Sequence, residues 1–121
     1  MVRRVLVVED EPHIVEALSF LFAREGFEVE AASDGEAAFA AIDRAKPNVL
    51  VLDAMLPGAD GFEILRRLRG DARYAGLPIL MLTAKGQQRD RAAAVALGAD
   101  RFMTKPFANS EVVAAVLELA G

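Results

Sequence analysis

The sequence has no cysteine and no tryptophan, one histidine, one tyrosine, and no apolar run long enough to cross a bilayer. Each absence excludes something. Without cysteine there is no disulfide, thiolate metal ligand or thiol nucleophile, and the chain carries no record of a redox compartment. A solitary histidine, His13, does not make a transition-metal centre and reads as an exposed helix residue. Apolar runs such as Ile79-Leu80-Met81-Leu82 fall far short of the roughly 20 residues of a membrane span, and the N-terminus lacks a signal peptide's order. The expected setting is the cytoplasm, with no membrane partner. A net charge of −4, from 14 Lys and Arg against 18 Asp and Glu, is the reverse of what a phosphate backbone attracts, so no direct nucleic-acid contact is expected. The nearest basic run, Arg66-Arg67-Leu68-Arg69, reads as the solvated face of a helix.

What is present suits one globular domain over residues 1–121, since a chain of this length with 54% hydrophobic residues can bury a real core. There is no repeat, low-complexity tract or linker, and no output domain is expected within it. Apolar runs at Val5–Val8, Phe27–Ala31, Val49–Leu52, Ile79–Leu82 and, more weakly, Phe102–Met103 predict buried strands. Between them, Ile14, Ala17, Leu18, Leu21 and Phe22 follow helical spacing, with Pro12 in the first turn and Gly26 as the stop. Capping-box patterns at Ser33–Glu36 and Asp60–Glu63 predict the starts of two more helices. A fourth helix is expected over Gln87–Leu97, Ala-rich and the least firmly packed. A fifth runs from about Asn109, with Val112, Val113, Val116 and Leu117 on one face. Strict alternation of continuously apolar strands with helices predicts an α/β fold, a three-layer doubly wound parallel sheet in the flavodoxin-like order 2-1-3-4-5.

In that order four strand ends are neighbours. They deliver Glu9 and Asp10, Asp53, Thr83, and Lys105 to one edge of the sheet. Glu9, Asp10 and Asp53 carry three negative charges against the one positive charge of Lys105, and like charges near 4 Å repel by roughly 4 kcal/mol at an effective dielectric of about 20. Either a pKa rises or a cation binds. Carboxylate oxygens with water suit Mg²⁺. With the metal present, Asp53 gains the capacity to form an aspartyl phosphate, and Thr83 can give a hydrogen bond to a phosphoryl oxygen.

The constellation Glu9-Asp10, Asp53 within "DAMLPGADG", Thr83-Ala84 and Lys105-Pro106-Phe107 resembles the receiver domain of bacterial two-component response regulators. The resemblance implies that a sensor histidine kinase or histidine phosphotransfer protein donates a phosphoryl group to Asp53. It also implies Mg²⁺ held by Asp10, Asp53 and the Met55 backbone carbonyl, with Glu9 acting mainly through water. Lys105 would pair with the phosphoryl group, and the Lys105-Pro106 peptide would be cis. Thr83 and Phe102 would then switch together, reshaping the face of the fourth helix, fifth strand and fifth helix for a downstream effector or output domain. Met55 and Lys85, two residues beyond Asp53 and Thr83, would govern hydrolytic water. In relatives that drive transcription factors that face also forms dimer salt bridges. Here Arg91 and Glu111 could supply one pair, but Arg101 replaces an acid and Ala115 an arginine, so a homodimer is left undecided.

Three rival readings are weaker. A haloacid-dehalogenase-like phosphohydrolase needs a second aspartate at the position of Met55. A flavin module needs a phosphate loop where Glu9-Asp10-Glu11 would repel one. A scaffold receiver that is never phosphorylated would be expected to have lost Asp53 or Lys105. The chain is therefore expected to catalyse only its own phosphorylation and dephosphorylation, not to act as a metabolic enzyme.

Overall fold

The computed structural model describes residues 3–84 and 88–121, so the expectations at Gln87 and Lys85 lie outside it. Its elements in chain order are β1 (Arg3–Val8), α1 (Pro12–Arg24), β2 (Phe27–Ala32), α2 (Gly35–Ala45), β3 (Val49–Asp53), β4 (Met55–Leu56), β5 (Ala59–Asp60), α3 (Gly61–Arg69), β6 (Ile79–Ala84), α4 (Gln88–Leu97), β7 (Arg101–Lys105) and α5 (Asn109–Ala120). Five strands form one parallel sheet in the order β2-β1-β3-β6-β7. This is the expected 2-1-3-4-5 order once the short antiparallel pair β4–β5 is counted.

The period-2 alternation of strand side chains builds two cores. Val5, Val7, Val49, Val51, Leu80 and Leu82 face α1 and α5, where Leu18, Phe22, Val112 and Val116 meet them. Leu6, Val8, Leu50, Leu52, Ile79 and Met81 face the other layer, with Ala38 and Ile42 of α2, Leu65 and Leu68 of α3, and Ala94 of α4. Every one of these strand residues is fully buried. Such a sheet resists bending, which lets it hold a terminal side chain in place.

Local chemistry explains most boundaries. Pro12 opens α1, and Gly26 follows its end with a φ of +92° that favours glycine. The expected cap of α2 is corrected: Asp34, not Ser33, accepts from Ala37 N at 2.8 Å. A carboxylate one position later reaches the N3 amide, and a serine before it does not. Asp60 does cap α3, accepting from Phe62 N at 2.9 Å, but Glu63 pairs with Arg66 instead of completing a box. Pro57-Gly58 turns β4 into β5, with proline at i+1 and a positive-φ glycine (+66°) at i+2, as a type II turn needs.

Contrary to the expected solvated face, the basic run on α3 is partly buried. Arg67 lies over the Phe39 ring, and Arg69 is largely buried. The Arg69 guanidinium donates to the carbonyls of Gly98, Leu77, Tyr74 and Ala75 and to Asp100, at 2.8–3.2 Å. Asp100 in turn accepts from Ile79 N at 2.8 Å, so one side chain ties the end of α4 to the start of β6.

Candidate functional site

At the carboxyl edge, parity decides which side each polar residue takes. Glu9, Asp53 and Lys105 continue the alternation that faces α1 and α5, and they converge. Lys105 Nζ lies 2.9 Å from Glu9 Oε1, 3.1 Å from Asp53 Oδ2 and 3.4 Å from Glu11 Oε1. Asp53 is 4% exposed, and its other oxygen, Oδ1, accepts from Met55 N at 3.1 Å. Glu9 is 1% exposed, and its Oε2 accepts from Glu11 N at 3.1 Å. Asp10 is exposed at the rim.

Thr83 and Phe102 belong to the opposite side, the one that packs under α4. Thr83 is fully buried, and its hydroxyl donates to Met103 O at 3.5 Å. Phe102 is half-buried beneath the Arg91 guanidinium, 4.8 Å from its ring centroid. The Thr83 hydroxyl thus bonds β7 and not the acidic cluster. The Lys105-Pro106 peptide is cis. Met55, the residue after next from Asp53, is 70% exposed. Its expected partner Lys85 is not among the described residues.

Charge and burial perturb the cluster. Burial pushes the Glu9 carboxyl up to about 7; the contact with Lys105 pulls it down, and the neighbouring Asp53 carboxylate raises it again. Burial draws the Lys105 ammonium down, but Glu9 and Asp53 more than offset this and hold it above the ordinary lysine range. Glu9 Oε1 is buried and has no hydrogen-bond partner, since the nearby ammonium stands off the bonding direction. One oxygen each from Glu9, Asp10 and Asp53 lies within 4.8 Å of the others. An orphaned hard oxygen beside two further carboxylates is a donor set that fits Mg²⁺.

Sequence reasoning treated Glu11 only as a charge that repels phosphate and did not place it at Lys105. The signal was its adjacency to the acidic pair; the missing information was how the N-cap of α1 turns its side chain toward β7. It also missed Gly61, whose amide donates to Ala54 O at 2.9 Å and whose Cα sits so close to the Asp53–Ala54 backbone that no side chain fits.

Comparison with known proteins identifies the family. The model of the response regulator receiver domain matches residues 5–117, and the chain belongs to that family, a domain of two-component signalling. It is 48% identical over 111 residues, 92% of this chain and 42% of the relative, to the transcriptional regulatory protein TrcR of Mycobacterium tuberculosis. It is 46% identical over 116 residues, 96% of this chain and 48% of the relative, to the alkaline phosphatase synthesis transcriptional regulatory protein PhoP of Bacillus subtilis. The chain thus spans about half the length of these relatives.

Among solved structures, a response regulator of Chloroflexus aurantiacus superposes with a TM-score of 0.92 at 34% identity, covering 99% of this chain and 98% of that one. The chemotaxis protein CheY4 of Vibrio cholerae gives 0.90 at 30%, covering 98% and 99%. Because these curated relatives are transcriptional regulators, the expectation of no nucleic-acid contact is withdrawn for any longer protein of their kind. It rested on the charge of these 121 residues alone. Among the described residues no helix is long and apolar enough to cross a membrane.

Proposed function

We propose that residues 1–121 act as a cytoplasmic phosphoacceptor unit in which Asp53 takes a phosphoryl group from the phosphohistidine of a sensor kinase or phosphotransfer protein. The observation that carries this reading is a nearly buried carboxylate, Asp53, with an ammonium at 3.1 Å and two further acids within 4.8 Å. In the transfer an Asp53 oxygen forms the new O–P bond as the donor's P–N bond breaks. The imidazole leaves with the bonding pair and takes a proton from water.

Glu9, Asp10, Asp53 and the Met55 carbonyl would hold Mg²⁺, which supplies charge neutralisation at the phosphoryl oxygens. Lys105 supplies the second neutralising charge, and the Met55 amide fixes the carboxylate's orientation. Phosphorylation replaces one negative charge with roughly two and adds acceptor oxygens. Thr83 then exchanges its long bond to Met103 O for a phosphoryl oxygen, and Phe102 moves with it. Because Phe102 carries Arg91 on its ring, the movement changes the α4–β7–α5 face that a downstream effector or output domain reads. A homodimer on that face would have to do without two of the expected salt-bridge groups. Arg101 is already paired with Glu118, and Ala115 is buried.

The test is incubation with acetyl phosphate or phosphoramidate plus Mg²⁺, followed by intact mass. The parent chain is expected to gain one phosphoryl group and the Asp53→Asn variant none. An unlabelled parent, or equal labelling of the variant, overturns the assignment.

A further inference from the structure

Glu11 places a third carboxylate on Lys105 that the proposed chemistry does not use. It occupies the N-cap position of α1, where its carbonyl accepts from Ile14 N and Val15 N at 3.1 and 3.2 Å and its side chain makes no capping bond. The carboxylate instead reaches across the cluster. Its Oε1 accepts from Lys105 Nζ at 3.4 Å, and its Oε2 lies 3.4 Å from Nε2 of the exposed His13.

An ammonium has three N–H donors and no acceptor. Nζ donates to Asp53 and Glu11 and has Glu9 as a close ion-pair contact at 2.9 Å, so carboxylates crowd it on three sides in the resting protein. The three partners are not equally fixed. Glu9 and Asp53 have side chains 0% and 5% exposed, whereas that of Glu11 is 44% exposed and also the most distant. A phosphoryl oxygen that comes to Lys105 therefore has one partner it can displace without stranding a buried charge.

We propose that Glu11 is a positioning residue: it holds Lys105 in the resting domain, yields to the incoming phosphoryl group, and so restrains the loading of Asp53 by small anionic donors. This rests on Asp53 being the acceptor. Two effects act in the same direction. The contact with Lys105 is lost on loading, and a further negative charge at the rim repels an anionic donor on approach. For a divalent cation the sign reverses, because the same charge attracts it. Removing the charge should therefore quicken phosphoryl uptake and weaken Mg²⁺ binding. A residue that merely supported the fold would impair both.

The experiment compares Glu11→Gln and Glu11→Ala with the parent, using acetyl phosphate at saturating Mg²⁺ and intact mass at low and high salt. In that reaction the bond from phosphorus to the acetyl oxygen breaks, an Asp53 oxygen bonds to phosphorus, and acetate leaves with the bonding pair. Mg²⁺ affinity is read separately by amide chemical shifts in a metal titration without donor. The expected result is an initial rate about three- to fivefold above the parent for both variants, shrinking toward unity in high salt, with Mg²⁺ affinity lowered about twofold. A rate equal to or below that of the labelled parent, or a change in uptake with Mg²⁺ affinity unmoved, overturns the role of Glu11 and leaves Asp53 standing. An unlabelled parent overturns both.

Discussion

Replacing Glu9 with glutamine keeps the shape of the buried carboxyl and removes its charge, and the resulting gain in stability should depend on pH. Burial, the largest cause, pushes the folded Glu9 up to about 7 from an ordinary 4.5; contact with Lys105 opposes this and Asp53 adds to it. The folded protein thus binds this proton more tightly than the unfolded chain does. The stability that comes with it is fully present below about pH 4.5 and is lost as pH rises through about 7. At about 1.4 kcal/mol per pH unit, that interval amounts to a ceiling of about 3 kcal/mol.

In a metal chelator, urea denaturation followed by far-UV circular dichroism should show the Glu9→Gln variant and parent equal at pH 4.5. At pH 8 the variant should lead by up to about 3 kcal/mol, or roughly 10 °C in Tm. The full value is reduced because the amide must set its NH₂ toward either Lys105 or the Glu11 amide, both of them donors. Mg²⁺ should narrow the difference at pH 8, because it binds the ionised acid. A difference that does not vary with pH, or a variant less stable than the parent at pH 8 without metal, would refute the reasoning.

Other expected outcomes follow from single contacts. A Cβ on Gly61 would lie 2.7 Å from Ala54 Cα and strike the Asp53 carbonyl; Gly61→Ala should cost about 2 kcal/mol or more in urea unfolding, despite the better helix propensity of alanine. Asp34→Ala should cost about 1 kcal/mol, whereas Ser33→Ala should stay within about 0.5 kcal/mol; the reverse order would restore Ser33 as the cap. Arg69→Met keeps the aliphatic stem and loses the guanidinium. It should cost about 2–4 kcal/mol and speed amide exchange at Ile79 and Asp100 ahead of the sheet centre; unchanged exchange at both amides would count against Arg69 as the tie.

The fold was readable from the sequence because its central strands are continuously apolar and its helices periodic, patterns that burial on two faces imposes directly. Val49–Leu52 could be placed at the centre of the sheet for that reason, while Phe102–Met103 was faint because β7 is an edge strand with partly exposed positions. The convergence of Glu9, Asp53 and Lys105 followed from strand order alone. Arg69 and Glu11 did not, since whether a charged side chain faces water or crosses to another element depends on packing angles that no local pattern encodes. The cap of α2 failed for a smaller reason: Ser33 and Asp34 are both good acceptors in adjacent positions, and only the backbone entry angle chooses between them.

The two-sided sheet has a consequence for how such a chain can vary. Side chains at alternate strand positions belong to separate cores, one shared with α1 and α5 and the other with α2, α3 and α4. Substitutions in opposite cores share no partners, so their energies should add, whereas neighbours within one core should couple. Each helical layer is thereby free to drift on its own, and only the few residues at the carboxyl edge have to remain compatible with both. The domain can change the surface on one side while the packing on the other keeps the same sequence solution.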